Sequence, residues 1–352
     1  MKTMEPQNKQ AKTFLAGLAA LVAAGMTAQA QMPALLLGKP SLLRNGLAGQ
    51  TRSLEANADN FPAPYSFTTL DDPLAITPTV DYGTYANGVW GDVVVGEYYD
   101  ASGDLEGFVY NIRDGTWTTL NDPEAISGSA SYDIWGHDIV GQYVDSEGNV
   151  LSYIYDGSTW TALQCPLATP GGGTFAVGIN GDFVAGFYSD SSGLYHGFLY
   201  RIHDQKWTSF DDPEAATGPG QGTLPQGCFG DGTAVGYYPD SNGVYHAFIY
   251  DGRHWINYDA PQAGTSAGQG TAFDGVSGAV IVASYIDTSS LLHSFIYDGT
   301  FIPFPQDPLA GTGAGQGTSL SNGDGYNLVG TYFDTSGSAH GFLATPVGVR
   351  PP

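Results

Sequence analysis

The stretch VGYYPDSNGVYHAFIYDGRHW, residues 235–255, places Asp240, His246 and His254 within fifteen positions. Carboxylates and imidazoles this close can hold a metal ion or share a proton in acid–base catalysis. They can equally be polar residues built into a wall. The choice depends on the elements that carry them.

The stretch is one of six. Tyr recurs at 98, 143, 188, 238, 285 and 332, and Asp follows two residues later at 100, 145, 190, 240, 287 and 334. An aromatic residue comes next at Phe108, Tyr153, Phe198, Phe248, Phe295 and Phe342, and the unit repeats about every 47 residues. Each unit reads as four short strands, here a to d. In the third unit these are GTFAVGIN (173–180), DFVAGFYSD (182–190), HGFLYRI (196–202) and KWTSFDD (206–212). Gly-rich turns containing Asp or Asn separate them, as tight hairpins require, and apolar residues alternate along the strands. Four antiparallel strands per period of this length describe a propeller blade.

The last unit stops after strand c, at AHGFLATP (339–346), while YSFTTLDDPLA (65–75) is a strand d with nothing before it. Joining the two completes six blades and covers the exposed sheet edges. The fold expected is therefore all-β: a six-bladed β-propeller, four antiparallel strands per blade, with the last blade closed by the N-terminal strand. An open β-solenoid leaves the orphan strand unexplained.

The motifs HAF (246–248), HGF (196–198, 340–342) and HSF (293–295), with Gly-x-Tyr-x-Asp upstream and an aromatic and an Asp/Pro corner downstream, resemble the HAF repeats of bacterial exported proteins. The likeness covers nearly all of 61–346, although Glu106 and Leu151 replace the His in the first two units. It implies export and repetition, and no particular chemistry.

The repeated His (196, 246, 293, 340) could form a ring of metal ligands. Because 196, 198 and 200 share one sheet face, they are expected instead to be wall residues bonded to the neighbouring strand. The repeated Asp opens the b–c turn, where its carboxylate accepts backbone N–H bonds. The first two turns are the richest in oxygen, so Asp100, Asp104, Asp145 and Glu147 are the candidate Ca²⁺ ligands, although no cofactor is required. GQGT at 220–223, 268–271 and 315–318 puts Gln221, Gln269 and Gln316 just before innermost strands. There Gly permits close approach and the amide offers a donor and an acceptor. Asp133 and Asp274, acids on innermost strands, are the weak catalytic candidates for glycoside hydrolysis, or else line a wet channel. No Ser-His-Asp triad, phosphate loop or zinc spacing stands out.

The chain has 352 residues, 50 Gly, 22 Tyr and a formal charge of −24. Lys2, Lys9 and Lys12, then FLAGLAALVAAGM (14–26) and AQA (28–30), read as a secretory signal peptide over 1–30. Residues 31–60 lack a period and read as linker or leader, leaving 61–352 for the propeller. No later segment is long and apolar enough to span a membrane. So acidic a body excludes nucleic acid and anionic lipid as partners. Past residue 60 the only Lys or Arg residues are Arg113, Arg201, Lys206, Arg253 and Arg350, the first four at c–d turns opposite the acidic face, so the molecule is expected to be electrically polarised. Cys165 and Cys228 fall in positions too far apart to bond.

These features make the chain a secreted or periplasmic monomer that binds carbohydrate or another cell-surface polymer, with several similar sites raising avidity. The alternatives are a polysaccharide-degrading hydrolase or lyase at the acidic face, and a structural envelope protein. Equivalent pockets would mark a binding module, and one unique carboxylate cluster an enzyme.

Overall fold

The computed structural model of the chain describes residues 64–348 apart from 77–79, 81, 127 and 170–172. The signal and linker expectations for 1–30 and 31–60 lie outside these residues.

The described residues form 24 strands in six blades. Blade 1 is β2 (Thr84–Trp90), β3 (Val93–Tyr99), β4 (Leu105–Asn111) and β5 (Thr116–Thr119). Blade 2 is β6 (Ser129–Trp135), β7 (Asp138–Val144), β8 (Val150–Tyr155) and β9 (Trp160–Leu163). Blade 3 is β10 (Thr174–Asn180), β11 (Phe183–Ser189), β12 (Tyr195–Arg201) and β13 (Lys206–Phe210). Blade 4 is β14 (Leu224–Cys228), β15 (Ala234–Pro239), β16 (Tyr245–Tyr250) and β17 (Trp255–Tyr258). Blade 5 is β18 (Gly270–Ser277), β19 (Val280–Ile286), β20 (Leu292–Tyr297) and β21 (Phe301–Pro303). Blade 6 is β22 (Gly317–Gly323), β23 (Leu328–Phe333) and β24 (Ala339–Pro346), with β1 (Tyr65–Leu70) as its outer strand.

The closing strand stands where the repeat places it. β1 runs antiparallel to β24 from Tyr65↔Pro346 to Leu70↔Gly341. Phe67 packs on Phe342 and, with Tyr65, on Phe304, so the closure buries aromatic surface as well as pairing an edge.

The repeated aromatics build each blade. The strand-c residues Phe108, Tyr153, Phe198, Phe248, Phe295 and Phe342 are all fully buried. Each meets an aromatic from strand d: Trp117, Trp160, Trp207, Trp255, Phe301 and, in blade 6, Phe67. A second repeated device was not foreseen. The first hydroxyl in each innermost strand, or in blade 4 that of the residue just before it, accepts the backbone N–H at the preceding corner. The pairs are Thr84 with Asp72, Ser129 with Asp122, Thr174 with Cys165, Thr223 with Asp212, Thr271 with Ala260 and Thr318 with Asp307. Because the corner contributes its backbone, Cys165 and Ala260 replace Asp without breaking the latch. Cys165 and Cys228 are both buried and unbonded.

The expected division of charge holds only in part. The four cations lie at or beside c–d turns, but carboxylates accompany them there. Arg113 pairs with Asp92 and Arg201 with Asp204, and Asp114, Asp156, Asp251 and Asp298 sit in the same turns. The far face is thus less acidic, not basic.

Candidate functional site

Two regions of this molecule gather chemistry-bearing side chains: the rim of the face carrying the b–c turns, and the propeller axis.

At the rim, each repeated Asp closes its own turn. One carboxylate oxygen of Asp100 accepts the backbone N–H of Ser102 and Asp104, and Asp145 does the same for Glu147 and Asn149. Asp190, Asp240, Asp287 and Asp334 repeat the pattern. Their second oxygen turns to the His. His293 Nε2 is 3.1 Å from Asp287, with 3.5 Å for His196 and Asp190, 3.6 Å for His340 and Asp334, and 3.9 Å for His246 and Asp240. Nδ1 meets a residue just beyond strand d, the next one in Asp211, Asp259 and Asp71 and the third in Gln306. Each ring also stacks on the repeated Tyr of strand b. The His are therefore partly exposed rather than buried in a wall, with one ring nitrogen facing the end of the neighbouring strand d and the other the Asp of the b–c turn.

These clamps shift proton affinities. The bonds to Asp259 and Asp71 raise His246 and His340 above the ordinary imidazole value. The Ser192 hydroxyl, followed by backbone N–H groups and His196, holds Asp190 down to about 2. Burial pushes Asp287 the other way, yet Ser289, Leu291 and His293 hold it at about 2. In blade 1, Glu106 takes the His position and meets Asn121. Among the described residues no three His, Cys, Asp or Glu side chains gather as a metal cluster. The side chains of the four expected calcium ligands are spread over two separate turns.

The axis is built differently. Every innermost strand has one β-bulge, after Ala86, Ser131, Ala176, Pro225, Phe273 and Leu320. The extra residues are Asn87, Tyr132, Val177, Gln226, Asp274 and Ser321. A bulge leaves its residue out of the ladder and re-aims the side chain. All six line one cavity of about 130 Å³. Tyr85, Phe333 and Leu292 add apolar surface, and Glu97, Thr331 and Asn322 add polar groups. Phe333 and Leu292 flank the b–c turn of their blades, so the cavity lies toward that face.

Just below the bulges the backbones touch. A Cβ on Gly88 would meet the Asp133 Cα at 2.8 Å, and one on Gly178 the Gly227 Cα at 2.7 Å. Only glycine permits this approach. A second chamber of about 100 Å³ lies beyond, lined by Trp90, Trp135, Asp133, Asn180 and Asp324 among others.

The two innermost-strand acids are thus separated: Asp274 lines the upper cavity, Asp133 the lower chamber. Asp133 accepts N–H bonds from Ile134 and, across the blade boundary, Ile179; burial nonetheless raises it to about 7. Asp274 is raised to about 8 by burial against an opposing bond from Ser284, and its Oδ2 atom is buried without a hydrogen-bond partner. The acid sharing its cavity is Glu97, on β3, only 2% exposed and bonded to Asn87 at 3.1 Å. Burial raises it to about 8 as well, with the Asn87 bond opposing. Glu97 lies on strand b, one strand out from the innermost strands that carry Asp133 and Asp274. The signal was present, since the residue before the repeated Tyr is Glu97, Gln142, Phe187, Tyr237, Ser284 or Thr331, with one acid among six.

The GQGT amides brace their own loops. Gln221 accepts from Gly218 N–H, Gln269 from Ser266 and Gln316 from Gly313. The following glycines, Gly222, Gly270 and Gly317, hold positive φ where a Cβ would lie about 2 Å from a carbonyl oxygen of the preceding blade. These loops therefore fasten blade to blade.

No family model matches the chain, and no curated protein matches it. Solved structures do resemble its fold. The SapL1 lectin in complex with alpha methyl fucoside aligns with TM-score 0.50 and 16% identity, over 78% of this chain and 95% of that one. The Aleuria aurantia lectin, a six-bladed propeller, aligns with TM-score 0.48 and 15% identity over 76% and 96%. TolB from Acinetobacter baumannii aligns with TM-score 0.42 and 13% identity over 71% and 63%. At these identities the likeness is one of fold.

Proposed function

We propose that this chain is an exported carbohydrate-binding propeller of the HAF-repeat kind, and that its ligand enters the axial cavity. The observation that carries this reading is the ring of six bulges, which turns six different side chains toward one space. Aromatic faces from Tyr85, Tyr132 and Phe333 suit the C–H face of a sugar ring. Amides, hydroxyls and carboxyl groups around them suit its hydroxyls. The SapL1 lectin, solved with a fucoside, is a precedent for such a ligand on this fold. A glycan array followed by titration calorimetry tests the reading. Tyr132→Ala should weaken any hit at least about tenfold. Hits untouched by that change would place the site elsewhere.

Glu97 and Asp274 sharing one cavity favour a second reading, a polysaccharide hydrolase or lyase. Hydrolysis requires one carboxyl ionised while the other is protonated. Here burial lifts both to about 8, so neither is a ready base at neutral pH, which supports binding over cleavage. Release of reducing ends from an array hit would reverse that preference. The calcium proposal has its own assay. Unfolding that shifts between EDTA and millimolar CaCl₂, and ceases to shift in Asp100→Asn with Asp145→Asn, would establish it.

A further inference from the structure

We infer that the axial cavity is selective for a cationic sugar: it takes the protonated amine of an amino sugar in preference to a neutral one. This rests on the carbohydrate reading and narrows it.

The cavity holds two carboxyl groups and no basic group. Its lining contains neither Lys nor Arg nor His. Glu97 is buried, and its single bond within the cavity is to the Asn87 amide, which also bonds to the Ser131 carbonyl. Asp274 also borders a smaller adjoining space with Tyr237, Tyr245 and Ser284, and its Oδ2 is buried without a hydrogen-bond partner. A buried carboxyl oxygen lacking a partner is costly unless something supplies a donor. A neutral hydroxyl supplies one hydrogen bond. An ammonium supplies up to three and a charge, and bonds to charged groups are roughly twice as strong as neutral ones.

The walls favour the same ligand. Tyr85, Tyr132 and Phe333 put three aromatic rings in the lining, and aromatic rings attract cations as well as sugar rings. The protein's formal charge of −24 draws cations toward it and keeps anions away. The lower chamber is a weaker candidate, because both oxygens of Asp133 already accept backbone N–H bonds.

The experiment compares a short β-1,4-linked glucosamine oligomer with its fully N-acetylated counterpart by titration calorimetry at near-physiological salt. The proteins are wild type, Asp274→Asn and Glu97→Gln, with unfolding curves to establish that each variant is folded. Both carboxyls hold their protons at neutral pH when no ligand is bound, so an ammonium must draw a proton off one of them; both substitutions keep the shape and remove that ionisable group. The free amine should bind wild type at least about tenfold more tightly than the N-acetylated oligomer. That ratio should fall toward one in Asp274→Asn and in Glu97→Gln. Equal binding of the two oligomers overturns the inference. So does a preference that survives both substitutions, because the amine is then held by carboxylates at the rim. N-acetylated or other neutral sugars binding in the cavity while the amine does not would overturn the inference and leave the carbohydrate reading standing. Absence of binding by any glycan would remove both. If Asp274→Asn does not fold, Glu97→Gln alone decides.

Discussion

The rim and the axis of this propeller obey opposite rules. At the rim, six copies of one turn and four copies of one histidine clamp bond mainly to themselves, although Gln306 and the corner acids Asp212 and Asp307 each leave one oxygen buried without a partner. In blade 5 Asp287 bonds its own turn, His293 lies between Asp287 and Gln306, and Tyr285 stacks on the ring. At the axis, six copies of one bulge carry six different side chains, and one carboxyl oxygen is left without a partner. Sameness marks the parts that hold the ring together, and difference marks the part able to recognise a single ligand. Repetition alone suggested several equivalent weak sites. The axial cavity is lined by six different bulge residues, so a ligand there would meet an inequivalent site.

The comparison can be broken first at the closure. Phe342→Ala removes a fully buried ring that also holds β1, and should cost about 3–5 kcal/mol in a denaturant titration. Deleting 64–72 should abolish cooperative unfolding. If the deletion unfolds like wild type, β1 does not close the ring.

A second effect belongs to the axis. Glu97 and Asp274 bind protons up to about pH 8 when folded, against about 4 when unfolded. The folded state therefore holds the extra protons between those values, and stability should fall as pH rises from about 4 to 8. The size is on the order of 2–5 kcal/mol per carboxyl. Asp274→Asn and Glu97→Gln should each flatten the slope of stability against pH. An unchanged slope would mean that these groups titrate as ordinary carboxyls.

The rim gives the smallest effect. His246 and His340 are raised by their carboxylates, so their contribution is complete below about pH 6.5 and is lost as pH rises through the higher folded value. Ion pairs this near solvent contribute about 0.5–1 kcal/mol. Imidazole titration by NMR should place both rings above their value in the unfolded chain, and Asp259→Asn should lower His246 alone. A His246 that titrates as in the unfolded chain would remove the clamp as a stabilising device.

Most of the frame is legible in the sequence, because hairpin turns and alternating strands leave a period-by-period record. Tyr98, Phe108 and their equivalents, the Asp turns and the orphan strand at 65–70 all stand where the repeat puts them. The site is less legible for two physical reasons. A bulge re-aims a residue without any residue type that signals it: Asp274 is the bulge residue of its strand, Asp133 follows the bulge of its own, and that one-residue offset puts them in different chambers. The Gln of GQGT looks like a free donor and acceptor until loop geometry shows its oxygen already bonded within three residues.

Stoichiometry decides most directly whether the ligand lies on the axis or on the rim. Titration calorimetry with the tightest array hit should give one ligand per chain, and that binding should weaken at least about tenfold in Asp274→Asn. Three or more equal sites per chain, indifferent to Asp274→Asn, would put recognition on the repeated rim and contradict the axial site.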